Sequence, residues 1–225
     1  MNLPDKSTIL IIAPHPDDEI LGLGGAIKKF SDSGHDVAIL LVSGHLPPLY
    51  KEEVFLEHKE QALKAHEIVG AKESIFLEIP ATLVKDETVA ELNGKIYSVL
   101  KDIGPNIVFI PFPDRHIDHR VIFDSSVVVC RPLNTDSPKN VLLYETLSET
   151  HWNVPNVEPS FQPNFFVNID KTIKNKIDAL KIYKSQINEN SPSRSIEAVK
   201  SLAQFRGSQN GCKYAEAFQI VRMVI

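Results

Sequence analysis

The chain has 225 residues, a formal net charge of −5, a hydrophobic fraction of 43% and a charged fraction of 24%. That length supports one domain spanning 1–225 with a core of its own, no apolar run approaches the roughly 20 residues a bilayer span needs, and the acidic balance disfavours a surface built for nucleic-acid phosphates. Cys130 and Cys212 stand far apart outside any CxxC pattern, and Met1–Ser7 lacks the basic and apolar regions of a secretory leader, so neither a disulfide scaffold nor a cysteine zinc knuckle is expected and cytoplasmic residence is.

Short β-branched runs alternate with longer amphipathic stretches, the pattern of βαβ units around a mostly parallel sheet. Thr8–Ile12 predicts the first strand, and Ile20–Ser33 a helix whose Gly22, Gly24 and Gly25 allow close packing on the sheet. Val37–Val42 predicts a second strand, Glu52–Val69 a helix stopped by Gly70, and Ser74–Ile79 a third strand. Then follow a helix over Thr88–Leu100, a strand over Asn106–Ile110, a helix from about Asp118 to Val129, and a strand over Val141–Leu147. Beyond these, His151–Asn164 reads as a loop, Phe165–Ile169 as an edge or antiparallel strand, Lys171–Asn188 and Ser193–Gln204 as helices, and Ala217–Ile225 as the last strand. The expected fold is α/β: a Rossmann-like three-layer αβα arrangement with a mostly parallel sheet.

Two charged segments sit directly after predicted strands. Ala13-Pro14-His15-Pro16-Asp17-Asp18-Glu19 follows the first strand, and Pro111-Phe112-Pro113-Asp114-Arg115-His116-Ile117-Asp118-His119-Arg120 follows the strand at Asn106–Ile110. In an open parallel sheet, ligands bind beyond the carboxyl ends of the strands, so two such loops can meet in one crevice. Carboxylates and imidazoles buried there are costly unless paired, hydrated or bound to a cation. His15 and Asp18 could supply two metal ligands and His119 a third, leaving a position open for water or substrate, which is a catalytic rather than structural zinc arrangement.

On these residues the chain resembles the PIG-L/LmbE-like family of metal-dependent N-deacetylases, whose signature pairs an AHPDDE-type loop with a downstream HxDH loop. The Gly-rich first helix, Tyr144-Glu145, Arg206-Gly207 and Tyr214-Ala215-Glu216-Ala217-Phe218 extend the likeness over nearly the whole chain. The resemblance implies Zn2+ held by His15, Asp18 and His119, with Asp17 as general base, His116 as electrophile or acid near the developing oxyanion, and Asp118 orienting His116. It implies hydrolysis of an N-acetyl amide, releasing acetate and an amine, on an N-acetylglucosamine-type sugar or sugar conjugate. Iron, cobalt or nickel suits the same imidazole and carboxylate donors. A homo-oligomer is compatible with the sequence; nucleic acid and membrane are not expected partners.

Adjacent Asp17 and Asp18 cannot present their carboxylates identically, so one can ligate while the other addresses water. Glu19, beside a helix N-terminus, reads as a supporting residue that meets the helix dipole. Arg115 and Arg120 either hold an anionic substrate group or balance the acidic cluster. Most of His35, His45, His58, His66 and His151 read as surface residues, and His45 and His151 lie in loops near strand ends, where either could contact substrate. Tyr144 reads as a buried strand tyrosine, and Trp152 as a sugar platform, pocket cover or loop anchor.

The chain departs from sugar-directed members of the family in several stretches. Their acidic residue after the third strand and their arginine in the following helix have no counterpart in Ile79-Pro80-Ala81-Thr82 or Glu57-His58-Lys59-Glu60, and Ser43–Tyr50 replaces the commoner Thr-Asp-Gly loop. Two other readings suit the same residues: a metal phosphoesterase, and a catalytically silent carbohydrate- or nucleotide-binding protein that keeps the metal as a clip.

Overall fold

The computed structural model describes residues 6–184, 186 and 192–224. Its elements in chain order are β1 (Thr8–Ala13), α1 (Asp18–Asp32), β2 (Asp36–Gly44), α2 (Glu52–Val69), β3 (Glu73–Pro80), α3 (Val89–Ile103), β4 (Ile107–Pro111), α4 (Ile117–Val129), β5 (Asn140–Tyr144), β6 (Phe165–Asn168), α5 (Ile173–Leu180), α6 (Ile196–Ser208) and β7 (Ala215–Arg222). The strands form one seven-stranded sheet in the order β3-β2-β1-β4-β5-β7-β6. The first five of these lie parallel, whereas β7 runs antiparallel to both β5 and β6. The α/β architecture, the mostly parallel sheet and the antiparallel edge at Phe165 agree with the sequence reading.

The continuous apolar runs follow from burial on both faces. Along β1, Ile9, Ile11 and Ala13 enter a core with residues of α1, α2, α5 and α6, while Leu10 and Ile12 enter the opposite core with α3 and α4. The chain winds outward from β1 to β3 and returns through β4 on the other side of β1. Strand order therefore reverses between β1 and β4, and the loops leaving these strands border the crevice where such sheets bind ligands. Both charged segments leave from this point.

Helix α1 runs close against the sheet because Gly22 faces Tyr144: a Cβ there would meet the Tyr144 ring at 2.3 Å. The helix also kinks at Leu23, where φ is −147°. Near the kink, the Gly25 and Ala26 N–H groups donate to the buried Glu216 carboxylate at 3.0 and 2.6 Å, and Lys176 Nζ donates to Glu216 at 2.6 Å and to the Leu21 carbonyl at 2.7 Å. These bonds satisfy the buried charge and tie α1 to α5 and β7. At the other face, α3 opens on a complete capping box of Thr88 and Glu91 and closes on Gly104 at φ 59°.

Some boundaries differ from the sequence reading. The helix expected over Lys171–Asn188 is helical only over Ile173–Leu180 and then turns, which carries the Tyr183 ring into the core; residues 185, 187 and 188 of that expectation lie outside the described residues. β5 stops at Tyr144 rather than Leu147, and β7 begins at Ala215 rather than Ala217, while Ile225 is outside the described residues. Short 3₁₀ turns occupy Val84–Asp86 and Thr150–Trp152. None of the described helices is long and apolar enough to cross a membrane.

Candidate metal and proton-transfer site

Asp18 opens α1 and meets both loops. Its Oδ2 accepts from the His15 backbone N–H at 3.0 Å and lies 3.2 Å from His15 Nδ1 and 3.1 Å from His119 Nε2. His119 reaches this point from α4, just past β4, and Asp114 fixes its ring: Asp114 Oδ2 lies 2.9 Å from His119 Nδ1. A carboxylate accepts, so Nδ1 carries a proton, and Nε2 is the nitrogen that would ligate an ion on giving up its own proton. His119 Nε2 is buried and makes no hydrogen bond. Asp114 also receives the His116 N–H at 3.1 Å and the Thr150 hydroxyl at 3.2 Å.

The donor set fits a metal ion. Ligand bonds of about 2.0–2.1 Å in a tetrahedral site place donors roughly 3.3 Å apart, close to the separations around Asp18. His15, His116 and His119 also group as a cluster whose donor atoms lie within 4.8 Å of one another. His116 thus stands near enough to be an alternative third ligand, with its ring centroid 4.5 Å from that of His15 and 5.1 Å from that of His119.

The surroundings favour positive charge. Burial opposes protonation of His15, yet its hydrogen bonds to Asp118 and Asp18 outweigh that and raise its pKa to about 9. Burial likewise opposes protonation of His119, but the Asp18 charge and the Asp114 hydrogen bond lift it to about 10. His116 behaves oppositely: burial, then the positive charge on His15 and His119, lower it to about 4. The Asp118 N–H donates to His116 Nδ1 at 3.2 Å, so neutral His116 carries its proton on Nε2.

Asp17 and Asp18 diverge despite being neighbours. Burial, reinforced by the Asp18 charge, raises the Asp17 carboxyl well above the usual range, although Arg194 pulls it down. For Asp18, burial also acts upward, but His119 and His15 overcome it and hold the carboxyl well below that range. Asp17 Oδ2 is buried, makes no hydrogen bond and faces Arg194 Nη1 at 3.5 Å. Paired carboxyls driven apart in this way suit a ligand and a proton carrier.

The expected pairing of the Asp118 carboxylate with His116 takes a different form. Asp118 Oδ2 is 4.0 Å from His116 Nδ1 but 2.9 Å from His15 Nε2, and it also accepts the Thr82 N–H at 2.7 Å. Asp118 orients His116 through its backbone N–H, because α4 starts at Ile117 and His116 occupies its N-cap. Arg115 and Arg120 both turn to Glu158 rather than to the acidic cluster. Of the histidines expected mostly at the surface, His58 and His66 are buried. His45 Nδ1 lies 2.7 Å from His58 Nδ1, whereas His151 pairs at 3.2 Å with Glu145, which Arg206 also holds. Tyr144 is a buried strand tyrosine whose hydroxyl donates to the Ile12 carbonyl, and Trp152 is 54% exposed.

The residues that sequence reasoning missed are Asp114, Arg194 and Glu149. Asp114 stood inside the second charged segment, where an acidic residue five positions before a histidine on the same strand-to-helix connection was the available signal. Arg194 and Glu149 come from distant segments, with Arg194 Nη2 3.2 Å from Glu149 Oε1, and no local spacing marks them.

The chain is 28% identical to the diacetylchitobiose deacetylase of Thermococcus kodakarensis, over 96% of this chain and 84% of that protein. It is 24% identical to a probable N-acetyl-alpha-D-glucosaminyl L-malate deacetylase 2 of Bacillus cereus, over 79% of this chain and 83% of that protein. The fold matches the solved N,N'-diacetylchitobiose deacetylase of Pyrococcus horikoshii at a TM-score of 0.77 and 24% identity, covering 97% of this chain and 84% of that one. Residues 10–129, which hold both charged loops, match PIG-L: GlcNAc-PI de-N-acetylase, and the chain belongs to that family.

Proposed function

We propose that the protein is a zinc-dependent N-deacetylase of N-acetylated amino sugars. The observation that carries this reading is the split at Asp17-Asp18: Asp18 Oδ2 lies between His15 Nδ1 and His119 Nε2, while the neighbouring Asp17 Oδ2 is buried without a hydrogen bond and faces Arg194. His15, Asp18 and His119 would hold the ion. When bound there, zinc supplies Lewis-acid polarisation of the amide carbonyl and lowers the pKa of water from 15.7 towards about 7.

The chain's own groups account for the rest. Asp17 takes a proton from the attacking water and delivers one to the departing amine nitrogen, so the C–N bond breaks as acetate and amine form. His116, neutral and protonated at Nε2, donates to the carbonyl oxygen as negative charge gathers there, an interaction made only in the transition state. Burial of Asp17, Asp18 and His119 limits water around the reacting amide and strengthens these interactions. The named activities of the relatives support an N-acetylglucosamine-type substrate.

Acetate release from N-acetylglucosamine and N,N'-diacetylchitobiose with added Zn2+ tests the reading. Wild type should turn over at least one of them, and Asp17→Asn should keep its metal while losing roughly 10²–10⁴-fold in kcat. Wild-type turnover by metal-loaded Asp17→Asn would overturn the mechanism.

A further inference from the structure

The residue beside this pair, Glu19, is 0% exposed and takes no part in the steps above. Its two oxygens face in different directions. Oε2 accepts the Asp17 backbone N–H at 3.1 Å, while Oε1 accepts the Tyr183 hydroxyl at 2.6 Å and lies 3.3 Å from His66 Nε2. His66 is in turn fixed by Ser74 Oγ, 2.7 Å from its Nδ1. His66 and Tyr183 are each 1% exposed. The network draws on α2, β3 and the turn after α5, so three separate parts of the fold converge on one carboxylate.

A first-turn Glu that only met the helix dipole would need none of these partners. What the network holds is Asp17, whose φ of 119° is a conformation that L residues rarely adopt. The Asp17 carbonyl is pinned from the other side, accepting from Leu21 N at 2.8 Å and Ile20 N at 3.1 Å. At this φ the chain turns sharply between His15 and α1, so two consecutive carboxylates separate, one toward the imidazoles and one toward Arg194. If Asp17 relaxed to an ordinary φ, its side chain would swing while Asp18, held by the His15 N–H, stayed in place.

We propose that Glu19 is a positioning residue for Asp17: its carboxylate, itself held by Tyr183 and His66, clamps the strained Asp17 backbone and aims the Asp17 side chain at the reacting water. The catalytic part of this statement rests on the proposed deacetylase reading; the clamp itself does not.

Three variants decide it: Glu19→Ala, Glu19→Gln and Tyr183→Phe, each compared with wild type for amide hydrogen exchange at Asp17, metal stoichiometry, kcat and KM. Removing the acceptor in Glu19→Ala should speed Asp17 amide exchange by at least about tenfold and cut kcat by roughly 100-fold, since misplacement by about 1 Å costs that much. Metal content should equal wild type and KM should stay within about twofold, because neither the ligands nor ground-state binding changes. Glu19→Gln keeps an oxygen for the Asp17 N–H and should recover kcat to within about fivefold of wild type. Tyr183→Phe loosens the clamp from behind and should fall between the two in both exchange and kcat.

A folded, metal-loaded Glu19→Ala with wild-type kcat and wild-type Asp17 exchange overturns the proposal, as does a kcat loss that merely tracks lost metal or lost folded protein. Should Glu19→Ala fail to fold, Tyr183→Phe decides: unchanged Asp17 exchange overturns the clamp. Absence of acetate release by wild type would sink the deacetylase reading instead, while the exchange measurement still accepts or rejects the clamp.

Discussion

Asp114 shows how much of a site can hang on a residue that touches neither ion nor substrate. By accepting from His119 Nδ1 it leaves Nε2 to face the proposed ion, and by accepting from Thr150 and the His116 N–H it joins the second charged loop to the segment after β5. Asp114→Asn, able to present its amide nitrogen to the ring, should weaken zinc binding by about 10–100-fold in a chelator competition; an unchanged Kd would show that the tautomer is set elsewhere. His119→Ala should lose the metal outright, and equal metal content by elemental analysis would remove His119 from the ligand set. The ligand candidates were legible in the sequence because His15, Asp18 and His119 follow apolar runs within a few residues, where charge is expensive without a partner. Their supports were not. Tyr183, His66 and Arg194 reach the site from 47 or more positions away, His66 lies on the same helical stretch as ordinary surface residues, and Glu19, which accepts the Asp17 N–H, is itself held by Tyr183 and His66.

At the scale of elements, α1 is the part whose placement the site most depends on, since it begins with Asp18 and is clamped between the sheet and α5. Gly22 allows that approach: Gly22→Ala would push a methyl into the Tyr144 ring and the Glu145 carbonyl. The expected cost is about 1–3 kcal/mol, or roughly 2–12 °C in Tm for a chain of this size. An unshifted Tm would mean that α1 can retreat without penalty. Because Tyr144 donates to the Ile12 carbonyl at the end of β1, the same substitution should also lower kcat through the first charged loop. Element types were readable from alternation and punctuation, with Gly70 ending α2 as expected, whereas α3 runs past its expected end at Leu100 to Ile103 and closes on Gly104. The α5 boundary was not, because the apolar spacing continues past Leu180 while burial of Tyr183 breaks the helix. The kink at Leu23 was equally hidden; it is stabilised by Glu216 and Lys176, both far along the chain.

For the molecule as a whole, strand order follows from the run of βαβ units, and the reversal between β1 and β4 explains why two charged loops about 100 residues apart share one crevice. A pH dependence belongs at this scale. His45 sits against His58, and burial, then the positive charge of His58 and His15, lowers its pKa from 6.5 to about 4. Between those values the unfolded chain takes up a proton that the folded chain refuses, so this contribution to stability is complete above about pH 6.5 and is lost as the pH falls towards 4. After solvent screening it should amount to about 1 kcal/mol, or roughly 2–4 °C in Tm. His45→Gln should flatten the acid limb of a Tm against pH plot by that amount, and parallel curves for the two proteins would remove His45 as a source.

The reversal of strand order also governs when the protein becomes competent. His15 and Asp18 leave the ribosome early, His119 waits until β4 and the start of α4 have emerged, and Arg194 and Tyr183 come last of all. A nascent or truncated chain lacking the second half therefore has two of the three proposed donors and no third, and a Glu19 without its Tyr183 partner. Under the proposed ligand set, a purified fragment ending before residue 114 should hold no stoichiometric zinc, and because His15, Asp18 and His119 all precede β5, metal content reports whether β1 and the β4–α4 connection have come together.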